Sequence, residues 1–372
     1  MFSDFNSWLF YLGVFGGSAY LLGFISQTQK NKTFFYYMVT AIALALPILM
    51  AAYRSCGTDS LTYMASYMRT SRTSWANVWE NIDSFFESGH RLLVKFLGTF
   101  HSVRVYFGAY AAITLICMFT ATKYYKGKEI ALSMFLFYFL LFISSFNGMR
   151  QNLAAAIVAL SFKYIFDRNF IKFLLLILLA TMFHTSALSM IFLYFLWQKD
   201  EKLLPWPFLL AIMALFTIVC LNLDSILGSL EEYEFESDSL QRYVNYTSNS
   251  FEAKNRDFYL KLLVAGIVAW HYPRLVKIDK RNSFFAYLVY ISTIIGLAGF
   301  INPTAKRFAL YLSITQIWVL ADIPKCYKDH HSIWTARLLV MFYAIARFTL
   351  VAYILRQSHL IPYIWILPSW AR

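Results

Sequence analysis

Long apolar runs separated by short polar connections repeat from one end of the chain to the other. A helix that crosses a bilayer needs about 20 predominantly apolar residues. On that ruler twelve helical segments are expected, near residues 7–25, 33–52, 104–122, 130–146, 148–166, 170–183, 185–198, 206–222, 258–272, 283–300, 307–323 and 336–356. Two of them, 170–183 and 185–198, are short. Polar residues interrupt the pattern at two places. Asn147, Arg150, Gln151 and Asn152 stand before and at the start of the fifth segment, and His184, Thr185 and Ser186 stand between the short pair.

The connections alternate in charge. Every second one is short and basic, holding Lys30 and Lys32, then Lys123, Lys126 and Lys128, then Lys163, Arg168 and Lys172, then Lys199 and Lys202. The series continues with Arg274, Lys277, Lys280 and Arg281, and with Lys325, Lys328 and Arg337. Basic connections stay on the cytoplasmic side, which places both termini outside. The same rule decides between two readings of 170–198. One long tilted helix would put Arg274–Arg281 outside, against the charge bias, whereas a chain that turns back near His184 keeps it inside. Two short segments meeting at a polar break resemble the discontinuous helices found where backbone lines a cavity.

Composition narrows the class. Of 372 residues, 59% are hydrophobic and 14% charged, with a mean hydropathy of +0.53. A soluble chain carries about 25% charged residues. The expected fold class is therefore an all-α, polytopic integral membrane protein, with residues 1–372 forming one transmembrane domain. The formal net charge of +13 is spread over the connections and not gathered in a patch, so nucleic acid is not an expected partner. Cys56, Cys117, Cys220 and Cys326 are scattered, without the spacing of a metal site or a disulfide framework. The opening MFSDFNSW has no basic n-region and no small-residue cleavage site, so the first apolar run is expected to be retained. No internal repeat and no Gly-rich nucleotide loop is detected. Two polar loops, 53–103 and 223–257, are expected outside. In the first, residues 82–100 pattern as an amphipathic helix with Leu92, Leu93, Phe96 and Leu97 on one side.

The candidate chemistry gathers on that outer side. Arg150 falls in the first turn of an apolar helix, where unpaired N–H groups already carry positive charge. It is comfortable there only beside an anion or a carboxylate, because a helix N-terminus plus a guanidinium is an anion site. Arg307 opens a later segment in the same way, after Lys306 and one turn before Tyr311. Arg54 and Asp59 follow the second segment, Glu87 and Arg91 lie in the first outer loop, and His184 sits at the outer turn. Arg54, Arg150 and Arg307 are expected to share one anionic site rather than to snorkel independently. Arg69, Arg72 and Lys254 read as solvated loop charges. Arg347 falls mid-helix, where a charge faces a cavity or a partner.

These residues carry a resemblance. Arg54–Asp59 with Tyr63 reads R-x-x-G-x-D, like the first motif of the EpsG/Wzy-type family of bacterial polysaccharide polymerases. Glu87-Ser88-Gly89-His90-Arg91-Leu92-Leu93 is similar to that family's E-x-G-[FY]-x-x-L block, with His90 in place of the usual aromatic residue. Met149-Arg150-Gln151 with Ala154 and Ala156 resembles its R-Q-x-x-A helix start, and Phe183-His184-Thr185-Ser186-Ala187-Leu188 its F-H-x-S-A-L turn. Arg307 with Tyr311 resembles its late R-x-x-x-Y, and Ile361-Pro362-Tyr363 its closing Pro-Tyr. The pieces keep the family's order, while Leu203–Asn282 matches only in hydropathy.

The resemblance implies a GT-C-like membrane glycosyltransferase that joins oligosaccharide units carried on undecaprenyl pyrophosphate, at the outer face of the bacterial plasma (inner) membrane. The product would be an O-antigen or a capsular or exopolysaccharide. On that reading His184, Asp59 and Arg150 are the catalytic candidates, and either His184 or Asp59 takes the proton of the acceptor hydroxyl. Arg54, Arg150, Gln151, Arg307, Tyr311, Arg91 and Glu87 would bind pyrophosphate and glycan, the arginines because their planar forks match phosphate oxygens. No cofactor is expected, and no His/Asp/Glu cluster has convincing metal spacing. Expected partners are the lipid-linked oligosaccharide, membrane lipids and a chain-length regulator protein. The rival functions are a lipid-linked oligosaccharide flippase, which should show repeat symmetry and basic residues through its depth, an O-antigen ligase, and a membrane acyltransferase.

Overall fold

The computed structural model describes residues 2–28, 33–78, 87–198, 203, 205–221, 257–298 and 305–367. Fourteen α-helices carry the chain among these residues: α1 (Asp4–Thr28), α2 (Phe34–Tyr53), α3 (Ser60–Arg72), α4 (Ser88–Leu97), α5 (Val103–Lys126), α6 (Ile130–Leu140), α7 (Met149–Phe166), α8 (Phe170–Thr181), α9 (Trp206–Leu221), α10 (Asp257–Ile278), α11 (Arg281–Ala298), α12 (Ala305–Ser313), α13 (Gln316–Asp322) and α14 (His330–Phe348). Four helical stretches, Asp4–Gln27, Phe34–Tyr53, Val103–Lys126 and His330–Ile354, are long and apolar enough to cross a membrane. With the shorter apolar helices they make a polytopic, all-α membrane protein.

Each of the twelve expected segments is helical, and local chemistry sets the ends. The side chains of Thr33, Ser102, Asn169 and Asp329 accept backbone N–H bonds at the starts of α2, α5, α8 and α14, which satisfies donors the helix itself leaves open. Four segments differ from uninterrupted α-helices, one of them 336–356, which passes into a π-helix over Thr349–Ile354. The segment 130–146 leaves the α form at Leu140 and continues as a 3-10 turn over Phe142–Phe146; there Arg347 Nη1 donates to the Leu140 carbonyl (3.0 Å). The segment 307–323 breaks at residues 314 and 315, where Thr315 Oγ1 bonds both Leu312 O and Phe285 O. The short segment expected over 185–198 is a twelve-residue 3-10 helix, Thr185–Leu196.

The polar loop 53–103 holds two surprises. It contains an unforeseen helix, α3, and its expected amphipathic helix is shorter and turned differently. α4 buries Gly89, His90, Val94 and Leu97, while Phe96 is exposed. Residues 82–86 of that expectation, and the second loop up to residue 256, lie outside the described residues.

α7 sits at the centre, packed on α5, α8 and α12. Its small buried residues Ala154, Ala155, Ala156 and Ala159 let neighbouring backbones approach closely. Large exposed apolar side chains lie on outer helices, such as Phe34 on α2, Ile171 on α8, Trp270 on α10 and Phe342 on α14. The chain reverses at Met182–His184 and returns along α8, so that Trp197 O accepts from Arg168 Nη1 and its ring meets Phe166.

The bundle has two chemically distinct ends. At one, Lys126 pairs with Asp322 and Asn282, Arg281 donates to Tyr125 O, and Arg337 pairs with Glu129. At the other, Gly57 N bonds His359 O, Ser55 N bonds Ile364 O, and Phe2 N bonds Tyr363 O. The second end also carries Glu87, Arg150 and His184.

Candidate functional site

The site is assembled by two close backbone approaches. Gly89 N donates to Met182 O (2.8 Å), which docks the start of α4 on the turn after α8. A Cβ at Gly89 would lie 2.7 Å from that carbonyl and 2.8 Å from Met182 Cβ, so only glycine fits. Glu87, two residues earlier, is thereby laid against His184. Gly57 makes the second approach with φ +113°, and a Cβ there would fall 2.7 Å from Asn147 Oδ1. This seats the loop after α2 against the start of α7.

At the centre Glu87 bridges two cations or potential cations. Its Oε2 accepts from Arg150 Nη1, and its Oε1 accepts from His184 Nδ1 (2.9 Å) and from the Thr185 backbone N–H (3.3 Å). The three side chains are only 10–12% exposed. Arg150 also bonds the Tyr63 hydroxyl. The cationic helix start foreseen at Arg150 has thus found a carboxylate. Burial pushes the Glu87 carboxyl up, but the His184 hydrogen bond and the Arg150 guanidinium outweigh it and hold the group below its usual range.

An ionised carboxylate can only accept, so His184 must donate from Nδ1. In the neutral ring the lone pair then stays on Nε2, which has no hydrogen-bond partner among the described residues. The arrangement is a carboxylate–imidazole pair with its basic nitrogen directed by the carboxylate, next to a buried guanidinium.

Other expected site residues flank this centre. Gln151 Nε2 donates to the Arg307 carbonyl (2.6 Å), and the Ser186 and Tyr311 hydroxyls are 2.9 Å apart. Arg91 N bonds Glu87 O on the next turn of α4. Asp59 is half-buried ahead of α3, one turn before Tyr63, and accepts from the Thr58 hydroxyl (3.1 Å).

Arg54 does not stand in an open anion site as expected. It is 1% exposed, donates to Ala51 O and Phe146 O, and lies 4.4 Å from the centroids of both Phe107 and Phe146. Two carbonyls and two aromatic faces accommodate its charge, so its place is in the frame behind Arg150. His90 explains its own departure from an aromatic. It sits within an aromatic box of Tyr63, Tyr106 and Tyr110, with Nδ1 2.6 Å from the Tyr110 hydroxyl. Burial first, then Arg150 and Arg91, depress its pKa well below the ordinary value, so it fills that box as a neutral ring.

Two contacts escaped sequence reasoning. Glu87 reads there as a binding residue and not as the partner of His184, and Tyr63 as part of a motif and not as a ligand of Arg150. The spacing E-x-G was the available signal, since a glycine two residues after a carboxylate marks close backbone docking.

Comparisons with curated proteins and with solved structures match nothing. A comparison with protein families matches residues 35–365, a span that runs from the start of α2 to the closing segment and includes every residue of the cluster. The chain is therefore a member of the EpsG family, associated with exopolysaccharide biosynthesis.

Proposed function

We propose that this protein is a polysaccharide polymerase of GT-C-like architecture, transferring a growing glycan from undecaprenyl pyrophosphate to a second lipid-linked repeat unit. The observation that carries the reading is the Glu87–His184 pair held against Arg150. The acceptor hydroxyl attacks the anomeric carbon of the donor. Its proton passes to His184 Nε2, the anomeric C–O bond breaks, and the pyrophosphate leaves as an anion. Glu87 orients the imidazole and stabilises the imidazolium that forms, as carboxylates do behind catalytic histidines. Arg150 faces the growing negative charge at the N-terminus of α7, where helix dipole and guanidinium act together. Gln151 and Tyr311 line the flanks. The charge rule supports an external location for this end of the bundle and for both termini, since the basic connections collect at the other end.

The test is glycan transfer by purified protein given undecaprenyl-pyrophosphate-linked repeat units. His184→Ala is expected to bind lipid-linked substrate yet to slow transfer by on the order of 10²-fold or more. Arg150→Lys is expected not to restore activity, because an ammonium cannot reproduce the bidentate fork. Wild-type polymer from His184→Ala together with an inactive Asp59→Asn would move the base to Asp59. Transport of the lipid-linked unit without any new glycosidic bond would replace the polymerase by a flippase.

A further inference from the structure

A cleft of about 390 Å³ lies at the far end of the bundle from Glu87, between α10 and α14. That volume falls in the range of small-molecule sites, about 300–1,000 Å³. Both helices lean on Gln316–Cys326 more than on each other, which leaves the space open. Its lining is graded along the helices. Toward the middle of the bundle it is Val264, Val340 and Tyr343, and toward the basic end it is His271, Tyr327, His331 and Ser332. His271 is 7% exposed and fixed by two bonds, Nδ1 donating to Ile267 O (2.8 Å) and Nε2 paired with the Tyr327 hydroxyl (3.0 Å). His331 and Leu339 are exposed at the rim, so the cleft opens sideways to the surroundings of the bundle.

Charge completes the pattern. Arg274 lies one turn beyond His271, close enough to influence the Cys326 thiol, and Lys328 adjoins Tyr327. Both are exposed, and neither pairs with a carboxylate among the described residues. The neighbouring carboxylates are already engaged: Asp322 by Lys126 and Lys325, Asp279 by Arg281, and Asp329 by the Ser332 N–H.

We propose that this cleft binds one anionic phospholipid from the leaflet at the basic end. The phosphodiester lies against Arg274, Lys328 and His331, and one acyl chain runs along Val264 and Val340. A mouth lined by His271, Tyr327, His331 and Ser332, with the exposed Arg274 and Lys328 adjoining it in sequence, leads to an apolar floor and matches an amphiphile whose headgroup is at the interface. The cleft is remote from the glycan-transfer cluster, so this inference does not depend on the polymerase reading.

The experiment uses full-length protein purified in mild detergent. Native mass spectrometry reads retained lipid, and unfolding temperature is compared in phosphatidylcholine nanodiscs with and without phosphatidylglycerol. The expected result is one retained phosphatidylglycerol and a higher unfolding temperature when that lipid is present. Arg274→Glu with Lys328→Glu, both at exposed positions, should weaken retention by about tenfold or more, since each interfacial cation contributes roughly fivefold. Ala336→Phe, which narrows the cleft, should weaken the adduct. Equal retention of both lipids by the wild type would overturn the proposal. So would unchanged retention in the charge-reversed variant, or a dimer without a lipid adduct. Should Ala336→Phe fail to fold, the charge-reversed variant decides alone.

Discussion

At the scale of single residues, the cluster depends on one carboxylate satisfying two neighbours. Glu87 is held below the usual carboxylate range in the folded protein, against about 4.3 when unfolded. A group depressed in this way stabilises the fold fully above its unfolded value, and the contribution is lost as pH falls through the lower folded value. Unfolding temperature in detergent is therefore expected to drop as pH is taken below about 4.3. Glu87→Gln should remove that component while lowering stability at neutral pH, where Arg150 loses its counter-charge; an identical pH profile in the variant would count against the assignment. Gly89→Ala is expected to cost about 1–3 kcal/mol through overpacking against Met182 and to slow transfer, because Glu87 is displaced from His184. Thermal unfolding and turnover of the variant check both. Individual positions at the site were legible in the sequence, since a charge at the mouth of an apolar helix is costly unless something joins it. Their pairing was not: Glu87 and His184 are 97 residues apart, and hydropathy says nothing about which outer segments meet. Arg54, expected to share an anion site with Arg150 and Arg307, is instead enclosed by two phenyl rings that lie far from it in sequence.

At the scale of elements, apolar length located all twelve segments because lipid and core impose the same demand on each. It could not reveal their internal form. In Thr185–Leu196 the few polar positions, Thr185, Ser186 and Ser189, do not separate a period of 3.0 from one of 3.6, so the 3-10 winding was invisible. The break at Leu140 depends on a distant side chain, Arg347, that takes up the freed carbonyl, whereas at residues 314 and 315 the break's own Thr315 bonds Leu312 O. Arg347→Leu should leave the Leu140 carbonyl without that donor and cost about 1–3 kcal/mol, measurable as a lower unfolding temperature. The reversal at His184 can be probed with single cysteines in a cysteine-free background. Thr185→Cys is expected to label from outside intact cells and Lys280→Cys only after permeabilisation. External labelling of Lys280→Cys would invert the proposed orientation.

At the scale of the whole molecule, each end is closed by its own buried ion pair. The basic end is locked by the buried pair Lys126–Asp322, each side chain 2% exposed, with Asn282 bonding both. Lys126→Ala leaves a carboxylate buried without its partner and should destabilise by about 3–5 kcal/mol. Lys126→Met with Asp322→Leu should recover much of the loss, because removing both charges also removes their desolvation cost; a double variant as weak as the single would refute that account. The site end combines the buried Glu87–Arg150 pair with main-chain stitches such as Gly57 to His359 and Gly89 to Met182.

The winding of Thr185–Leu196 couples His184 to the thickness of its surroundings. Twelve residues rise about 24 Å as a 3-10 helix and only about 18 Å as an α-helix. A bilayer thinner than the protein's own favours the shorter form, and recoiling would draw Thr185 toward the fixed end of the segment, where Trp197 is anchored to Arg168, and so away from Glu87. Because Thr185 N and His184 Nδ1 share one carboxylate oxygen of Glu87, the imidazole would lose its orientation with the reach of the helix. The proposed transfer is thus expected to fall as acyl chains shorten in defined nanodiscs, with substrate binding retained, which would make lipid length a control on it.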